Sequence, residues 1–480
     1  MTVAILGAGI TGLAFGYLLA KRGVAVRIFE AAASEGGLAG TYHHASGFSF
    51  DFGPHEFVTD NEELKILLRE VCGDDLLTVI KKTSQHFGGR LVPYPFGLVD
   101  VVRSINPLIT LRAGFEAAVN RLCNMFRKPA DDSFAAWTKA RFGRSLYDVY
   151  FGPYTQKVWG IDPHDLDPRT ASDRITVDSV WDLFKKMIKH RWLGADDFKK
   201  THSEFRKDFF YTRRGAGTLQ THLRRAFEEL GGTIEFGRQL VGVGRDGNGD
   251  VTELRFADGS THTAFDTVVS TVPLPTLTKM VLGARAERLL ADNHLPFRGM
   301  AFVFLRVNKP EVTGNHWIYF PDAKTPFQRS TEFGLFGADM SPPGCTGVAL
   351  EVAMSPDEPE WQQSDAAIAE SSIQALCDLG FLDRKDLLGY DVVRTRFAYP
   401  VQVQQYKERA GRLLEALGEA QNLISVGRQG LFRYCNQNEC IEMAMEVVPM
   451  IAAGQRGIRY VREGSWLGVG ITDGYQASQT

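Results

Sequence analysis

The sequence predicts an α/β protein in which a parallel sheet is interrupted by a mainly helical insertion and completed by an antiparallel sheet. Three observations predict it. A strand, a glycine turn, a helix and a second strand open the chain. Helical spacing of apolar residues dominates positions 61–207, and short apolar runs separated by turns fill positions 300–353.

The opening unit is the most specific. Residues 3–6 read as a buried strand that runs into Gly7-Ala8-Gly9-Ile10-Thr11-Gly12, followed by a helix over 13–20 and a strand over 24–30. Gly7 permits the tight turn, Gly9 lets a pyrophosphate approach the backbone, and Gly12 lets the helix pack close to the sheet. The helix N-terminus presents unpaired N–H groups to that pyrophosphate. Glu30 ends the second strand, where a carboxylate holds a ribose diol and repels the 2′-phosphate of NADP. These features predict a Rossmann-like dinucleotide-binding domain. The turn Gly36-Gly37-Leu38, within Ser34–Thr41, resembles the second glycine signature of FAD proteins in the glutathione-reductase-like superfamily. Directly after a dinucleotide fingerprint it favours FAD over an ordinary surface turn.

The remaining elements follow in order. Residues 48–52 read as a strand returning towards the nucleotide site, and 61–77 as a helix. Residues 98–126 read as a longer helix or pair broken near Pro107, and helical spacing continues over 134–142, 180–191 and 219–230. Strand character returns at 233–236, 240–243 and 251–256, with Asp246-Gly247-Asn248-Gly249 as a hairpin turn. The apolar run 265–272 stops at Pro273. Further strands are expected at 300–307, 316–320, 327–333, 348–353 and 390–398, with a helix over 364–379. A strand at 423–427 returns to the first sheet, and a helix over 439–452 closes it. The division expected is a FAD-binding domain from 1–60, 208–275 and 420–480, a helical domain over 61–207 and a substrate domain over 276–419.

Composition narrows the class. With 480 residues and a formal net charge of −3, the chain can bury a large core and lacks the excess of positive charge of a general nucleic-acid binder. Its six cysteines contain no CxxC pair, which reads as reduced thiols of a cytoplasmic protein. No signal peptide, membrane span or metal site is expected. A homo-oligomer remains open.

Several short islands occur downstream in a recognisable order: Asp51-Phe52-Gly53-Pro54-His55, Pro153-Tyr154-Thr155-Gln156-Lys157-Val158-Trp159 with Arg174, and His316–Pro321 followed by Pro326–Ser330. Tyr399-Pro400-Val401 and Gly427-Arg428 with Phe432-Arg433-Tyr434-Cys435-Asn436-Gln437 complete the set. Together with the glycine signatures they resemble the UDP-galactopyranose mutase family of flavin-dependent nucleotide-sugar pyranose/furanose mutases. That family lies within the amine-oxidase/protoporphyrinogen-oxidase-like superfamily.

The resemblance implies an isomerase active only with reduced FAD, working through reduced-flavin N5 covalent catalysis on UDP-galactose or a related nucleotide hexose. NADPH or NADH would be the reductant. Arg174 and Arg329 would hold the diphosphate through planar bidentate hydrogen bonds, with Tyr399 and Tyr434 adding neutral donors. Tyr154, Trp159 and Asn436 would also meet the substrate; for Trp159, core packing is an equal reading. His55 would sit beside the flavin, with Leu240, Gly427, Arg428 and Gln437 as further cofactor contacts. His55, Arg174 and Arg329 are the catalytic candidates. Residues 176–210 read as a mobile lid or a longer helical hairpin. Two other functions compete: an oxidase or dehydrogenase of the amine-oxidase and protoporphyrinogen-oxidase type, and a non-catalytic flavin-binding subunit.

Overall fold

The computed structural model describes residues 1–94, 107–124, 133–172 and 208–459. Its chain-opening unit forms as expected: a strand Thr2–Leu6, a helix Ile10–Ala20 and a strand Ala25–Phe29. They belong to a five-stranded, all-parallel sheet ordered Leu423–Ser425, Thr267–Ser270, Thr2–Leu6, Ala25–Phe29, Thr233–Glu235. The central strand is apolar on both faces because both are covered. On one face Val3 and Ile5 pack with the helices Ile10–Ala20, Gly217–Glu229 and Gln437–Ala452. On the other, Ala4 and Leu6 join the three-stranded meander 240–262 and the helices Leu274–Leu282 and Tyr406–Leu417. Every residue of Ile10–Ala20 is buried, which explains its lack of a polar face.

The antiparallel region is a seven-stranded sheet ordered Leu387–Pro400, Phe297–Val307, Thr346–Ala353, Arg329–Glu332, Trp317–Tyr319, Thr83–Phe87, Arg90–Pro93. Its long strand Phe297–Val307 sends Ala301, Val303 and Leu305 towards the helix Asp365–Asp378. The alternate residues Phe302 and Phe304 enter an aromatic layer with Phe50, Phe333 and Phe336. That layer joins the sheet to the hairpin Thr41–His43/Ser49–Asp51 and thereby to the glycine turns.

Residues 76–93 differ from the helical expectation. Leu76–Ile80 pairs with Asp208–Thr212, and Thr83–Phe87 extends the seven-stranded sheet through a parallel pairing with Trp317–Tyr319. The hairpin that follows turns at Gly88 and Gly89, both at positive φ (57° and 76°). Such a two-glycine turn favours strands over helix. The helix expected over 61–77 accordingly ends at Cys72, where Gly73 takes φ 51°. The helix expected over 180–191, Arg174 and most of the lid or hairpin expected over 176–210 lie outside the described residues, as does the end of the chain; the last residues of that segment, 208–210, belong instead to the strand Asp208–Thr212.

Among the described residues, no helix is long and apolar enough to cross a membrane.

Candidate functional site

The site begins where the first strand stops. Gly7 takes φ +106°, and a Cβ there would lie 2.2 Å from the Thr271 hydroxyl; one at Gly12 would lie 1.9 Å from the Gly7 carbonyl oxygen. Both positions therefore admit only glycine. Gly9 is different. A Cβ there would meet nothing nearer than the Gly36 carbonyl oxygen at 3.9 Å, so the protein's own packing leaves that side open. The helix that starts at Ile10 has no side-chain cap, which leaves its first N–H groups available to an anion.

The second glycine turn is laced to the first. Gly36 N–H donates to the Ala8 carbonyl at 3.0 Å, and Gly36 and Gly37 take φ 117° and 55°. Leu38 lies half-buried in the 3₁₀ turn Gly37–Ala39. Glu30 stands beside both turns: its carboxylate accepts from the Ala8 and Ala32 N–H groups at 2.6 and 2.8 Å. Leu240 is placed otherwise than expected. Its side chain is buried in the core cluster that holds Phe29 and Phe256, so only its backbone could face a ligand.

A third turn closes against the first from the C-terminal side. Gly427 takes φ +79°, and a Cβ there would lie 2.8 Å from the Thr11 hydroxyl. The helix Gln437–Ala452 starts nearby with a capping box: Asn436 caps it and Glu439 reaches back to the Asn436 N–H at 2.8 Å. The Asn436 side chain thus caps the helix. Gln437 is buried and its Oε1 has no hydrogen-bond partner.

Between these turns and the antiparallel sheet, cationic and hydroxyl groups gather. Arg329 forms a bidentate ion pair with Glu351, at 2.6 and 2.7 Å. The pair sits under Gly53, whose Cβ would crowd both partners at 3.2 and 3.3 Å. Burial opposes the Arg329 charge, but Glu351, Tyr399 and Tyr319 favour it and hold its pKa above the usual range. Arg428 spends two donors on the Cys435 carbonyl, at 2.8 and 2.6 Å, and lies over the Tyr434 ring at 4.9 Å. Burial, Arg428 and Arg329 together push the His55 pKa down to about 3, so its imidazole is neutral; its Nδ1 is buried without a partner.

The aromatic candidates meet here in a row. Trp159 packs edge-on against Tyr399 at 6.0 Å, and Tyr399 lies 6.1 Å from Tyr434. Trp159 is also core, buried among Phe134, Val158, Leu166 and Val401, so it packs and meets Tyr399 at once. Tyr154 stacks on Tyr150 at 6.2 Å, one turn away in the same helical segment. The structure therefore brings together His55, Trp159, Arg329, Tyr399, Arg428 and Tyr434. Asn436 and the Leu240 side chain are turned to structural work.

Three site residues escaped the sequence reading. Glu351 is a lone acid in the apolar strand Thr346–Ala353, and that isolation was its signal. Tyr319 lies under the Arg329 guanidinium at 5.8 Å. Lys157 donates to Phe320 O, Asp322 O and Thr325 Oγ1 at 2.9, 2.7 and 2.8 Å, tying the helix Gly152–Trp159 to the segment that leads to Arg329. Burial brings its pKa down to about 7, against the pull of Asp322.

A fold with two interlaced glycine turns on a parallel sheet, facing a cleft walled by an antiparallel sheet, defines a class of flavin-containing oxidoreductases. The chain belongs to the flavin containing amine oxidoreductase family, whose model matches residues 10–409. It is 28% identical over 180 residues to coproporphyrinogen III oxidase of Staphylococcus aureus (strain NCTC 8325 / PS 47), covering 34% of this chain and 37% of that one. It is 23% identical over 210 residues to a protein named "Probable UDP-galactopyranose mutase" from Klebsiella pneumoniae, covering 40% and 49% respectively. The chain thus spans less than half the length of either curated relative. The crystal structure of reduced UDP-galactopyranose mutase superposes with a TM-score of 0.78 at 20% identity, over 94% of this chain and 95% of that one, a likeness of fold.

Proposed function

We propose that this protein is a flavin-dependent nucleotide-sugar mutase that interconverts the pyranose and furanose forms of UDP-galactose or a related nucleotide hexose. The observation that carries the reading is the meeting of Arg329, Arg428, Tyr399 and Tyr434 at one cleft beside the glycine turns. A diphosphate leaving group demands such a set: cations to offset its charge and hydroxyl donors to hold it for return.

The residues present fit FAD. Gly9 is open where a pyrophosphate would lie on the helix N-terminus, and Glu30 would take the adenosine ribose. Gly36, Gly37, Leu38 and Gly427 would border the chain between the two ends of the cofactor. The orphaned His55 Nδ1 and Gln437 Oε1 are buried polar atoms that a polar ring system would satisfy. Bound in its reduced form, FAD supplies the nucleophile for the interconversion; NADPH or NADH is the proposed reductant. We assign a glutathione-reductase-type FAD domain to 1–60, 208–275 and 420–480, with the helices Leu274–Leu282 and Tyr406–Leu417 packed on its parallel sheet.

The chain's own residues then hold and orient. Trp159 and Tyr399 present an aromatic wall to the sugar. Tyr434 and Arg428 offer donors and charge to the diphosphate, and Arg329 retains donors beyond the two that Glu351 engages. Arg174 is proposed as a second diphosphate ligand from its motif. Neutral His55 keeps Nδ1 for a hydrogen bond without adding a third positive charge.

One observation favours the oxidase reading instead. Glu351 neutralises Arg329, which leaves the cleft less positive than a bare arginine pair, and the Staphylococcus relative is an oxidase. Arg329→Met tests the choice, with Arg329→Met/Glu351→Gln as a control against an unpaired buried carboxylate. The mutase reading predicts that both keep FAD absorbance while UDP affinity falls about ten- to hundredfold, the worth of a charged hydrogen bond. Unchanged UDP affinity in both, with FAD retained, would contradict it.

A further inference from the structure

Cys435 and Cys440 touch. Their sulfurs lie 3.6 Å apart, both residues are buried at 1% and 4% exposure, and neither is in a disulfide. They occupy the positions just before the Asn436 cap and four residues into the helix Gln437–Ala452. A pair of hydrophobic residues could staple the helix start equally well. The surroundings supply more than a staple needs. The Arg428 guanidinium donates twice to the Cys435 carbonyl, which places a fixed positive charge beside the pair. The Cys435 thiol and the Thr11 hydroxyl hydrogen-bond to Cys440, and with Arg428 they lower its pKa against the effect of burial. The Cys435 thiol moves the opposite way. Cys440 sits in the first turn of the helix, where the N-terminal end of the dipole favours a thiolate, and Cys435 lies within reach to resolve it.

We propose that Cys435 and Cys440 are a peroxide-reactive dithiol that closes to a disulfide across the start of the helix bordering the cleft. The Cys440 thiolate attacks one oxygen of hydrogen peroxide, the O–O bond breaks, and hydroxide leaves to take up a proton. The resulting sulfenic acid is attacked by Cys435 sulfur: the S–S bond forms, the S–O bond breaks, and water leaves with the Cys435 proton. Two thiols and one peroxide give one disulfide and two waters. The sulfurs must close from 3.6 Å to about 2.05 Å. Burial excludes bulky oxidants and leaves a small one such as peroxide as the candidate. Peroxide has two sources: the surrounding solution, or the reoxidation of reduced flavin by dioxygen in the same protein.

The test uses the holoprotein, reduced with dithiothreitol and desalted. It is exposed to stoichiometric hydrogen peroxide, alkylated under denaturing conditions and read by mass spectrometry. The expected result is loss of two hydrogens, with Cys435 linked to Cys440 before Cys72, Cys345 or Cys377 is oxidised, and reversal by dithiothreitol. Cys435→Ser should stop at a sulfenic acid on Cys440 that dimedone traps, and Cys440→Ser should leave Cys435 a free thiol at the same dose. Two free thiols in the wild type while Cys345 oxidises would overturn the proposal. So would a Cys435 equally reactive in Cys440→Ser. A second arm reduces the holoprotein with dithionite and readmits air, with and without catalase. Closure despite catalase assigns the internal source; closure only without it assigns the solution.

Discussion

Arg329 and Glu351 show how far a single residue's reading depends on its neighbour across the sheet. Arg329 stood out in sequence because of its motif, but its partner sits on an adjacent strand 22 positions away, where no local spacing points to it. Breaking a buried pair strands a charge. Glu351→Ala is therefore expected to cost about 3–5 kcal/mol in urea unfolding, and a loss below about 1 kcal/mol would mark the pair as solvent-relaxed. Asp51 and His55 make a second residue-scale prediction. Burial raises the Asp51 pKa to about 6 from 3.8, against donors from Thr41, Tyr211 and Ala216. The unfolded chain therefore releases that proton first, and stability falls as pH rises from about 4 to about 6. His55 runs the other way. Its folded pKa is about 3 against 6.5, so stability falls as pH drops below about 6.5. The two slopes oppose between pH 4 and 6. Asp51→Asn should expose a stability that rises with pH over that window, and His55→Gln one that falls. Equal pH slopes in both variants would contradict the assignment.

At the scale of elements, legibility followed locality. Gly12, the Gly36-Gly37 turn and Glu30 were readable because each is fixed by contacts within a few dozen residues of chain: Gly12 exists because Gly7's carbonyl occupies the place of its Cβ. Gly12→Val should therefore give folded but colourless protein, checked by visible absorbance beside circular dichroism; a yellow Gly12→Val would refute the tight-turn argument. The hairpin Thr83–Phe87/Arg90–Pro93 carries a local signal in its Gly88-Gly89 turn, whereas its docking on Trp317–Tyr319, more than 200 positions away, has none. Asn436 shows the converse: its capping box with Glu439 is local and legible from the Asn436-x-x-Glu439 spacing. Asn436→Ala should cost about 1 kcal/mol of stability with UDP affinity unchanged, a split that equilibrium unfolding and titration calorimetry resolve.

For the whole molecule, the parallel sheet and the antiparallel sheet do different work. The first is specified by hydrophobic runs and glycine spacing, so both its strands and its ligand class were legible. The second carries a cluster assembled from distant segments: His55, Trp159, Arg329, Tyr399 and Arg428 meet only once three sheets and several helices have packed. Sequence motifs named most of those residues, while their geometry and the Glu351 counter-charge had to come from the fold. The family match rests on the shared architecture, and the chemistry rests on the cleft. The most direct measurement is made on purified holoprotein reduced with dithionite under nitrogen and incubated with UDP-galactose and a panel of nucleotide hexoses, oxidised protein serving as control. A furanose isomer seen by NMR only with the reduced protein is the predicted result. No isomer across the panel, with substrate-dependent oxygen uptake on an amine or a porphyrinogen, would contradict the mutase and establish the oxidase.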